Sequence, residues 1–420
     1  MAFKLPNDDS ADVQFTPYGI PYVFRSGNET SGRTSSSIAA QIYPGSSWTG
    51  SEFGSSIAIG HYRIVAGAPL YDETYEYGRV RVSDMQGNPL TDLTSTAQAS
   101  RFGDAVAVGN ERIFVGAPYE GDGTNTRRGA VYCYTLDGNL KWKTFAPEAS
   151  SNEYFGLRIA VGQHSGLVAV SAIGHSASYA SGEDHGAVYL LRIRDGSVFK
   201  KLISPNDPTN GQRNFGRDIA MGHRRLVVGD PLKDQVGSYY AGDGGAYIYD
   251  EGGHLLHTIK NGSGPTSSVT EKEGLGHGVA IGAGRIVLGM PSYGGFSYQY
   301  GGYKVFDLEG REVYRWYLDG DNRKHGGSGK VAIGNGRIVV SGASSNNGSM
   351  VMANLNGEIV DSISNLSGKF GYCCAIGDGK VAFGRPGDDT SGTNAGSVVV
   401  YDVPHIMTMF DARDKIAGFK

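Results

Sequence analysis

The sequence of 420 residues predicts an all-β protein, and two features of its composition and patterning support that class. Glycine contributes 65 residues, far above the usual share of about 7%, without a collagen-like period or a low-complexity run. Short segments rich in Val, Ile, Ala, Tyr and Phe lie between the glycines, and long amphipathic helical patterns are absent outside the last 15 or so residues. This pattern is typical of many short strands joined by tight turns.

One phrase recurs along the chain and organises it. Its clearest copy begins at Phe102-Gly103, turns at Asn110-Glu111 and ends at Gly116-Ala117-Pro118, which is the pattern of a β-hairpin. Successive copies are about 53 residues apart, just above the period of about 40 to 50 residues in propeller blades. The copies begin at Phe53-Gly54, Phe102-Gly103, Phe155-Gly156, Phe215-Gly216, Leu275-Gly276, Ser328-Gly329 and Phe370-Gly371. Seven copies predict one domain, a seven-bladed β-propeller.

Each complete repeat supplies four antiparallel strands. After the hairpin and a long polar loop, the third strand follows a glycine, and a glycine turn leads to the fourth strand. The glycines before the third strands are Gly78, Gly129, Gly186, Gly245, Gly302 and Gly396. We therefore expect four-stranded blades throughout.

The last repeat lacks its own fourth strand, and residues 38–43 resemble one. Because an open array leaves two unpaired edges, we predict that this N-terminal strand closes the ring. Residues 22–24 would form an additional strand; they resemble a third strand, yet they and residues 397–401 cannot occupy the same place. The predicted organisation is an arm over residues 1–35, the propeller over 36–404 and a tail over 405–420.

The Phe-Gly start and the Gly-Ala-Pro corner resemble the FG-GAP repeats of integrin α-subunit propellers and of bacterial surface proteins. The corner is complete at Gly67-Ala68-Pro69 and Gly116-Ala117-Pro118, with variants at Gly229-Asp230-Pro231 and Gly289-Met290-Pro291. The resemblance covers about 370 residues. It implies a propeller fold, whereas propellers host many different functions.

The resemblance does not extend to the calcium sites of that family, whose repeats often carry an Asp-x-Asp-x-Asp-Gly loop. The corresponding turns here, such as His61-Tyr62 and Asn335-Gly336, are too short to supply the six to eight oxygens that calcium needs. Acidic loops do occur at Asp72-Glu73, residues 120–122 and Asp388-Asp389, but charged loop tips are usually solvated. The sequence therefore predicts no metal and no cofactor.

A cation follows the hairpin turn in six of the seven repeats, at Arg63, Arg112, Arg225, Arg285, Arg337 and Lys380. In a four-stranded meander the first and third turns share a face, so this cation ring should lie near acidic residues of the outer turns, Asp84, Asp137, Asp195, Glu251 and Glu309. One interpretation is a ring of ion pairs, each worth about 0 to 1 kcal/mol. The alternative is a basic ring that docks an acidic partner.

The long loops share the other face and carry many tyrosines, which provide contact area and a hydrogen-bonding tip at small entropy cost. The aromatic residues of these loops are Tyr71, Tyr75, Tyr77, Tyr119, Tyr179, Tyr239, Tyr240, Tyr293, Phe296, Tyr298 and Tyr300. As candidate binding residues we select Tyr71, Tyr75, Tyr119, Tyr239, Tyr293, Tyr298 and Tyr300. The alternative is that these rings fold back onto the glycine-rich loops.

Several function classes have little support. No nucleophile elbow, phosphate loop or His-Glu-x-x-His motif is present, so we assign no catalytic residue. A net charge of -4 gives no electrostatic case for nucleic acid, and no apolar run reaches the length of a membrane span. Cys133, Cys373 and Cys374 have no metal-binding spacing and are expected to be free thiols.

The resulting hypothesis is a non-enzymatic structural and interaction module. Proteins that this sequence resembles usually work outside cells, but the N-terminus lacks the apolar stretch of a secretory signal. A virion component, in a phage tail or on a capsid surface, would assemble in the host cytoplasm and leave by lysis. Its partners would be other structural proteins of an assembly, or a surface glycan or receptor. The alternatives are a cell-surface adhesion or glycan-binding propeller and a polysaccharide-degrading enzyme, which would need paired carboxylates.

Overall fold

The computed structural model describes residues 3–4, 11–15, 21–25, 38–45, 48–71, 77–175, 185–205, 214–231, 244–261, 274–290, 302–317, 330–343 and 347–403. Four strands precede the first complete blade: β1 (Phe3–Lys4), β2 (Ala11–Phe15), β3 (Pro21–Arg25) and β4 (Ile38–Ile42). Blade one contains β5 (Ser56–Gly60), β6 (Arg63–Ala68), β7 (Arg79–Ser83) and β8 (Pro89–Thr94). Blade two contains β9 (Ala105–Gly109), β10 (Arg112–Ala117), β11 (Ala130–Thr135) and β12 (Leu140–Phe145).

The remaining blades follow in chain order. Blade three contains β13 (Phe155–Val161), β14 (Leu167–Ala172), β15 (Ala187–Arg192) and β16 (Val198–Ile203). Blade four contains β17 (Ile219–Gly222), β18 (Arg225–Gly229), β19 (Gly245–Asp250) and β20 (Leu255–Lys260). Blade five contains β21 (Gly278–Gly282), β22 (Arg285–Met290), β23 (Gly302–Phe306) and β24 (Glu312–Tyr317). Blade six contains β25 (Lys330–Gly334), β26 (Arg337–Ala343), β27 (Asn347–Asn354) and β28 (Ile359–Ser367), and blade seven begins with β29 (Cys374–Gly377), β30 (Lys380–Arg385) and β31 (Ser397–Asp402).

The blades form a closed ring. The first strand of each blade contacts the first strand of the next, from β5 and β9 onward, and β29 of blade seven contacts β5 of blade one. Within each blade the four strands pair antiparallel. The predicted all-β, seven-bladed propeller of four-stranded blades is confirmed.

An N-terminal strand closes the ring, as predicted. Blade seven has the order β29, β30, β31 and β4, and Val398 and Val400 of β31 pair with Ile42 and Ala40 of β4. The strand Ser397–Asp402 therefore holds the third place in this blade. The additional strand β3 lies elsewhere, because it pairs in parallel with β24 at the outer edge of blade five, where β2 and β1 extend the sheet to seven strands.

The tight turns between first and second strands explain the register of the hairpins. Both central residues have positive φ in blades one, two and four: His61 and Tyr62 at 51° and 56°, Asn110 and Glu111 at 50° and 56°, His223 and Arg224 at 48° and 56°. Two positive φ values define the turn whose twist matches that of paired strands. In blades five, six and seven the second position is glycine.

The repeated phrase forms the seam between neighbouring blades. Gly116, at the corner of blade two, packs so closely on blade three that an added Cβ would lie 1.9 Å from the carbonyl oxygen of Gly156. Gly129 forms a parallel bridge with Phe155, whose side chain is fully buried. The Phe-Gly start of one blade is thus held between the corner and the third strand of the blade before it.

The core lies between the blades. One cluster joins Phe114 and Cys133 of blade two to Phe155, Val168 and Tyr189 of blade three, and the other seams have similar clusters. The three cysteines are free thiols, as predicted. Burial raises the pKa of Cys133 to about 12 and that of Cys374 to about 11, so both are protonated, unreactive thiols near neutral pH.

Candidate interaction face and axial cluster

The structure describes two of the seven tyrosines that the sequence singled out as binding residues. Tyr71 follows β6 and Tyr119 follows β10, both in loops on the long-loop face. The other five, Tyr75, Tyr239, Tyr293, Tyr298 and Tyr300, lie outside the described residues.

Tyr71 packs against the body of blade one. Its ring centroid is 5.3 Å from that of buried Trp48, and the guanidinium of Arg79 lies 4.0 Å from the Tyr71 centroid. Arg81 covers the other aromatic ring, 4.6 Å from the Trp48 centroid, and is held by two hydrogen bonds to Asp92, of 2.9 and 3.0 Å. Tyr71 is therefore packed against the side chains of Trp48 and Arg79.

Tyr119 lies in a more open arrangement at the boundary of blades two and three, which we call the Tyr119 cluster: Tyr119, Tyr154, Arg101 and Arg127. The two tyrosine rings meet edge to face with centroids 5.3 Å apart. The guanidinium groups of Arg101 and Arg127 lie 4.4 and 5.5 Å from the Tyr119 centroid. Both tyrosines are half-buried and Arg127 is exposed, so the cluster presents aromatic and cationic surface to solvent.

A cleft of about 410 Å³ opens beside the Tyr119 cluster. Arg127 and Tyr154 line one part of it, and Ser150, Asn152 and Glu153 line another. These loops are tied together, because Asn152 N donates to Thr126 O over 2.9 Å and Tyr154 N donates to Arg127 O over 3.1 Å. The cleft therefore has a fixed backbone and a lining of polar and aromatic side chains.

A second polar site, which the sequence reasoning missed, lies where the first strands begin around the ring axis. We call it the axial cluster: Asp104, Arg158, Arg217, Asp218 and Lys330. Arg158 Nε lies 3.6 Å from Asp218 Oδ1, and Arg217 lies 3.4 Å from His277 Nε2. Most of these residues come one or two places after the repeated Phe-Gly, where the repeats differ from one another. Charged residues directly after the Phe-Gly start, at the beginning of the innermost strand of a blade, were the sequence signal that could have identified this cluster.

Burial and neighbouring charges shift the pKa values of two residues of the axial cluster, Asp104 and Lys330. Burial raises the pKa of Asp104, and the charges of Arg158, Arg101 and Lys330 oppose that rise. Burial, together with the positive charge of Arg158, lowers the pKa of Lys330 to about 8, while Asp218 acts in the opposite direction. The cluster therefore holds cations from three blades close together.

The cation ring of the tight-turn face is built differently from the sequence expectation. The arginines donate to the carbonyl oxygen of the preceding residue, as in Arg63 to Tyr62 O at 3.2 Å, and the same bond recurs at Arg112, Arg225, Arg285 and Arg337. Within the described residues only Lys380 has a carboxylate partner, Asp402. Outer-turn carboxylates such as Asp84 instead accept from their own turns.

Neighbouring tight turns bond to one another. Asp378 of blade seven accepts from Tyr62 N of blade one at 2.8 Å, and His61 Nε2 of blade one accepts from Glu111 N of blade two at 3.3 Å. His223 accepts from Gly284 N in the same way. Polar groups of the tight-turn face therefore form hydrogen bonds between neighbouring blades.

The closed ring of four-stranded blades defines a β-propeller, a class that commonly serves as a protein-interaction module. No family model matches the sequence, and no curated protein matches it. Among solved structures the chain is similar to BamB from Moraxella catarrhalis, at 12% sequence identity and a TM-score of 0.43, over 96% of this chain and 98% of that one. In the described part of the chain, no helix has the length and apolar character needed to cross a membrane.

Proposed function

We propose that the protein is a non-enzymatic interaction module whose long-loop face binds a protein partner at the Tyr119 cluster. The observation that carries this proposal is the grouping of two tyrosines and two arginines beside one cleft. Tyrosine and arginine are enriched among the residues that dominate binding energy at interfaces. A rigid ring of blades supports these loops, so little conformational entropy is lost on binding.

The two faces differ in how their polar groups are used. On the tight-turn face, Asp378, His61 and His223 accept hydrogen bonds from neighbouring blades. On the long-loop face, Arg127 is exposed and its guanidinium contacts Tyr154 only through a long 3.5 Å hydrogen bond. We therefore assign recognition to the long-loop face.

The proposed setting is a virion, with the module in a phage tail or on a capsid surface and with structural proteins of the particle as partners. The resemblance to FG-GAP repeat proteins, which work outside cells, supports an external role. The N-terminal arm supports assembly, since β1, β2 and β3 add to the edge of blade five, and strand addition is a common way for subunits to bind one another.

The experiment compares two variants in binding to purified particles and to host cells from the source. Replacing Tyr119 and Tyr154 with serine should weaken binding about 30-fold or more, since losing one aromatic anchor costs about 2 kcal/mol. Tyr62→Ser is the matched control, because Tyr62 is 71% exposed on the opposite face. Mass spectrometry of the particles should detect the protein.

Three outcomes would contradict this proposal. Equal loss of binding in the Tyr62→Ser control would remove recognition from the long-loop face. Binding on a glycan array without turnover, combined with absence from particles, would indicate the adhesion or glycan-binding propeller. Release of product from a polysaccharide would indicate an enzyme.

A further inference from the structure

Three side chains with metal-ligating atoms meet at the boundary of blades two and three. His175 Nδ1 lies 2.9 Å from Glu153 Oε2 and 3.1 Å from Glu148 Oε2, and the three ligating atoms all lie within 4.8 Å of one another. Glu153 and His175 are 2% and 3% exposed. Glu148 is only partly buried, so the group has a route to solvent.

The other oxygen of each carboxylate has its own partner. Ser150 Oγ donates to Glu153 Oε1, and Lys201 Nζ contacts Glu148 Oε1. Partners of this kind orient metal-binding carboxylates in known sites. Here they leave both Oε2 atoms directed at the same nitrogen.

The backbone around the histidine is also fixed. His185 N and Gly186 N each donate to His175 O over 3.1 Å, and Gly174 N donates to Glu153 O over 3.2 Å. The loop that carries the histidine is thereby tied to the loop that carries one of the glutamates. The backbone positions of Glu153 and His175 are thus fixed relative to each other.

Blade two contains the same arrangement without the histidine. Three residues after the end of β10, Glu120 accepts a 2.8 Å hydrogen bond from Tyr132 and contacts Lys143. In blade three the equivalent positions hold His175, Tyr189 and Lys201, because Tyr189 pairs with Lys201 just as Tyr132 pairs with Lys143. The comparison shows what the change from glutamate to histidine removes.

In blade two, Glu120 accepts a hydrogen bond from Tyr132. Because blade three has His175 at the position of Glu120, Tyr189 lacks this acceptor. Tyr189 is 1% exposed; its hydroxyl has no partner at normal hydrogen-bond distance within the described residues, but the Glu148 carboxylate lies close enough to interact with it. A buried hydroxyl therefore lies beside the two carboxylates.

We propose that Glu148, Glu153 and His175 bind a divalent transition-metal ion of the zinc class. Ligands of tetrahedral zinc lie about 2.0 to 2.1 Å from the metal, hence about 3.3 Å from each other, so the two separations from His175 Nδ1, of 2.9 and 3.1 Å, need to grow by only a few tenths of an ångström. An imidazole nitrogen favours zinc over magnesium or calcium. A water from the adjacent cleft can complete the coordination. This site departs from the sequence expectation of no metal.

The test is titration of ZnCl₂ into the metal-free full-length protein by calorimetry, with the visible spectrum of bound Co²⁺ as a second measurement. We expect one ion per chain and tetrahedral Co²⁺ bands. Glu153→Gln and His175→Asn should each weaken binding by more than about 100-fold, since even outer partners of metal ligands are worth 10- to 100-fold.

The matched control is Glu120→Gln, which alters the equivalent site of blade two and should leave zinc affinity unchanged. Melting curves of all variants in EDTA establish that they are folded. If the wild-type protein binds no Zn²⁺ at 100-fold molar excess, the proposal fails. It also fails if folded His175→Asn binds as tightly as the wild type, or if Glu120→Gln weakens binding as much as Glu153→Gln.

Discussion

Gly384 of blade seven lies directly against Gly54 of blade one, so that a Cβ added to Gly384 would be 1.9 Å from the Gly54 carbonyl oxygen. This contact joins the last blade to the first. The same relationship links Gly67 to Gly103, Gly116 to Gly156 and Gly229 to Gly276. The glycines of the Phe-Gly start and of the Gly-Ala-Pro corner are therefore two halves of one contact, repeated around the ring.

We predict that Gly384→Ala destabilises the whole propeller. The new methyl group would meet backbone atoms, which cannot rotate away, and overpacking of this kind costs about 1 to 3 kcal/mol or more. The measurement is the free energy of unfolding in urea. Gly252→Ala is the control, because the nearest atoms to its added Cβ are 3.3 Å away and belong to side chains. Equal stability of Gly384→Ala and the wild type would show that the ring closes less tightly than the structure indicates.

Two N-terminal truncations should separate the arm from the closing strand. Deleting residues 1–35 removes β1, β2 and β3 and should leave a cooperatively melting ring. Deleting residues 1–45 also removes β4, the partner of β31, and exposes the hydrogen-bonding edge of blade seven. We expect that product to unfold or aggregate in thermal melting and size-exclusion chromatography, whereas deletion of 405–420 should be tolerated. A soluble, cooperative 46–420 fragment would contradict closure by the N-terminal strand.

The fold could be predicted from the sequence because its determinants are local and repeated. The glycines of the seam and the two-residue turns leave the same trace in nearly every repeat, and the missing fourth strand of the last repeat predicted the role of residues 38–43. The pairing of β3 with β24 could not be predicted, since backbone pairing of an edge strand leaves no residue pattern. The axial cluster and the Glu148, Glu153 and His175 site were missed because their members come from different loops and blades.

Three turn substitutions should stabilise the protein. Tyr62, Glu111 and Arg224 each have φ of 56°, a conformation that costs a residue with a side chain about 1 to 2 kcal/mol. Replacing each with glycine should raise the free energy of unfolding by about 0.5 to 1 kcal/mol per site, after the entropy of the unfolded chain is counted. The control is Gly336→Ala, at φ 70° with no atom near its Cβ, which should be destabilised. Loss of stability in the glycine variants would mean that these side chains contribute more than the strain costs.

The last prediction concerns Lys330 in the axial cluster, whose pKa is lowered from 10.5 to about 8 by burial and by Arg158. Between these two values the folded protein binds fewer protons than the unfolded chain, so stability should rise with pH. Below pH 8 Lys330 is charged in the folded protein. The full free-energy cost of burying that charge beside Arg158 and Arg217 therefore lowers the stability of the fold.

Lys330→Met should therefore be more stable than the wild type at pH 7, and the advantage should shrink as pH rises from 8 to 9. Cys373 and Cys374, with pKa values raised from 9.0 to about 12 and about 11, lower stability as the pH passes through 9, but they do so in both proteins and largely cancel in the difference. The measurement is urea unfolding of both proteins at pH 7, 8 and 9. An unchanged difference between the two proteins across this range would show that Lys330 is not held in its perturbed state by the cluster.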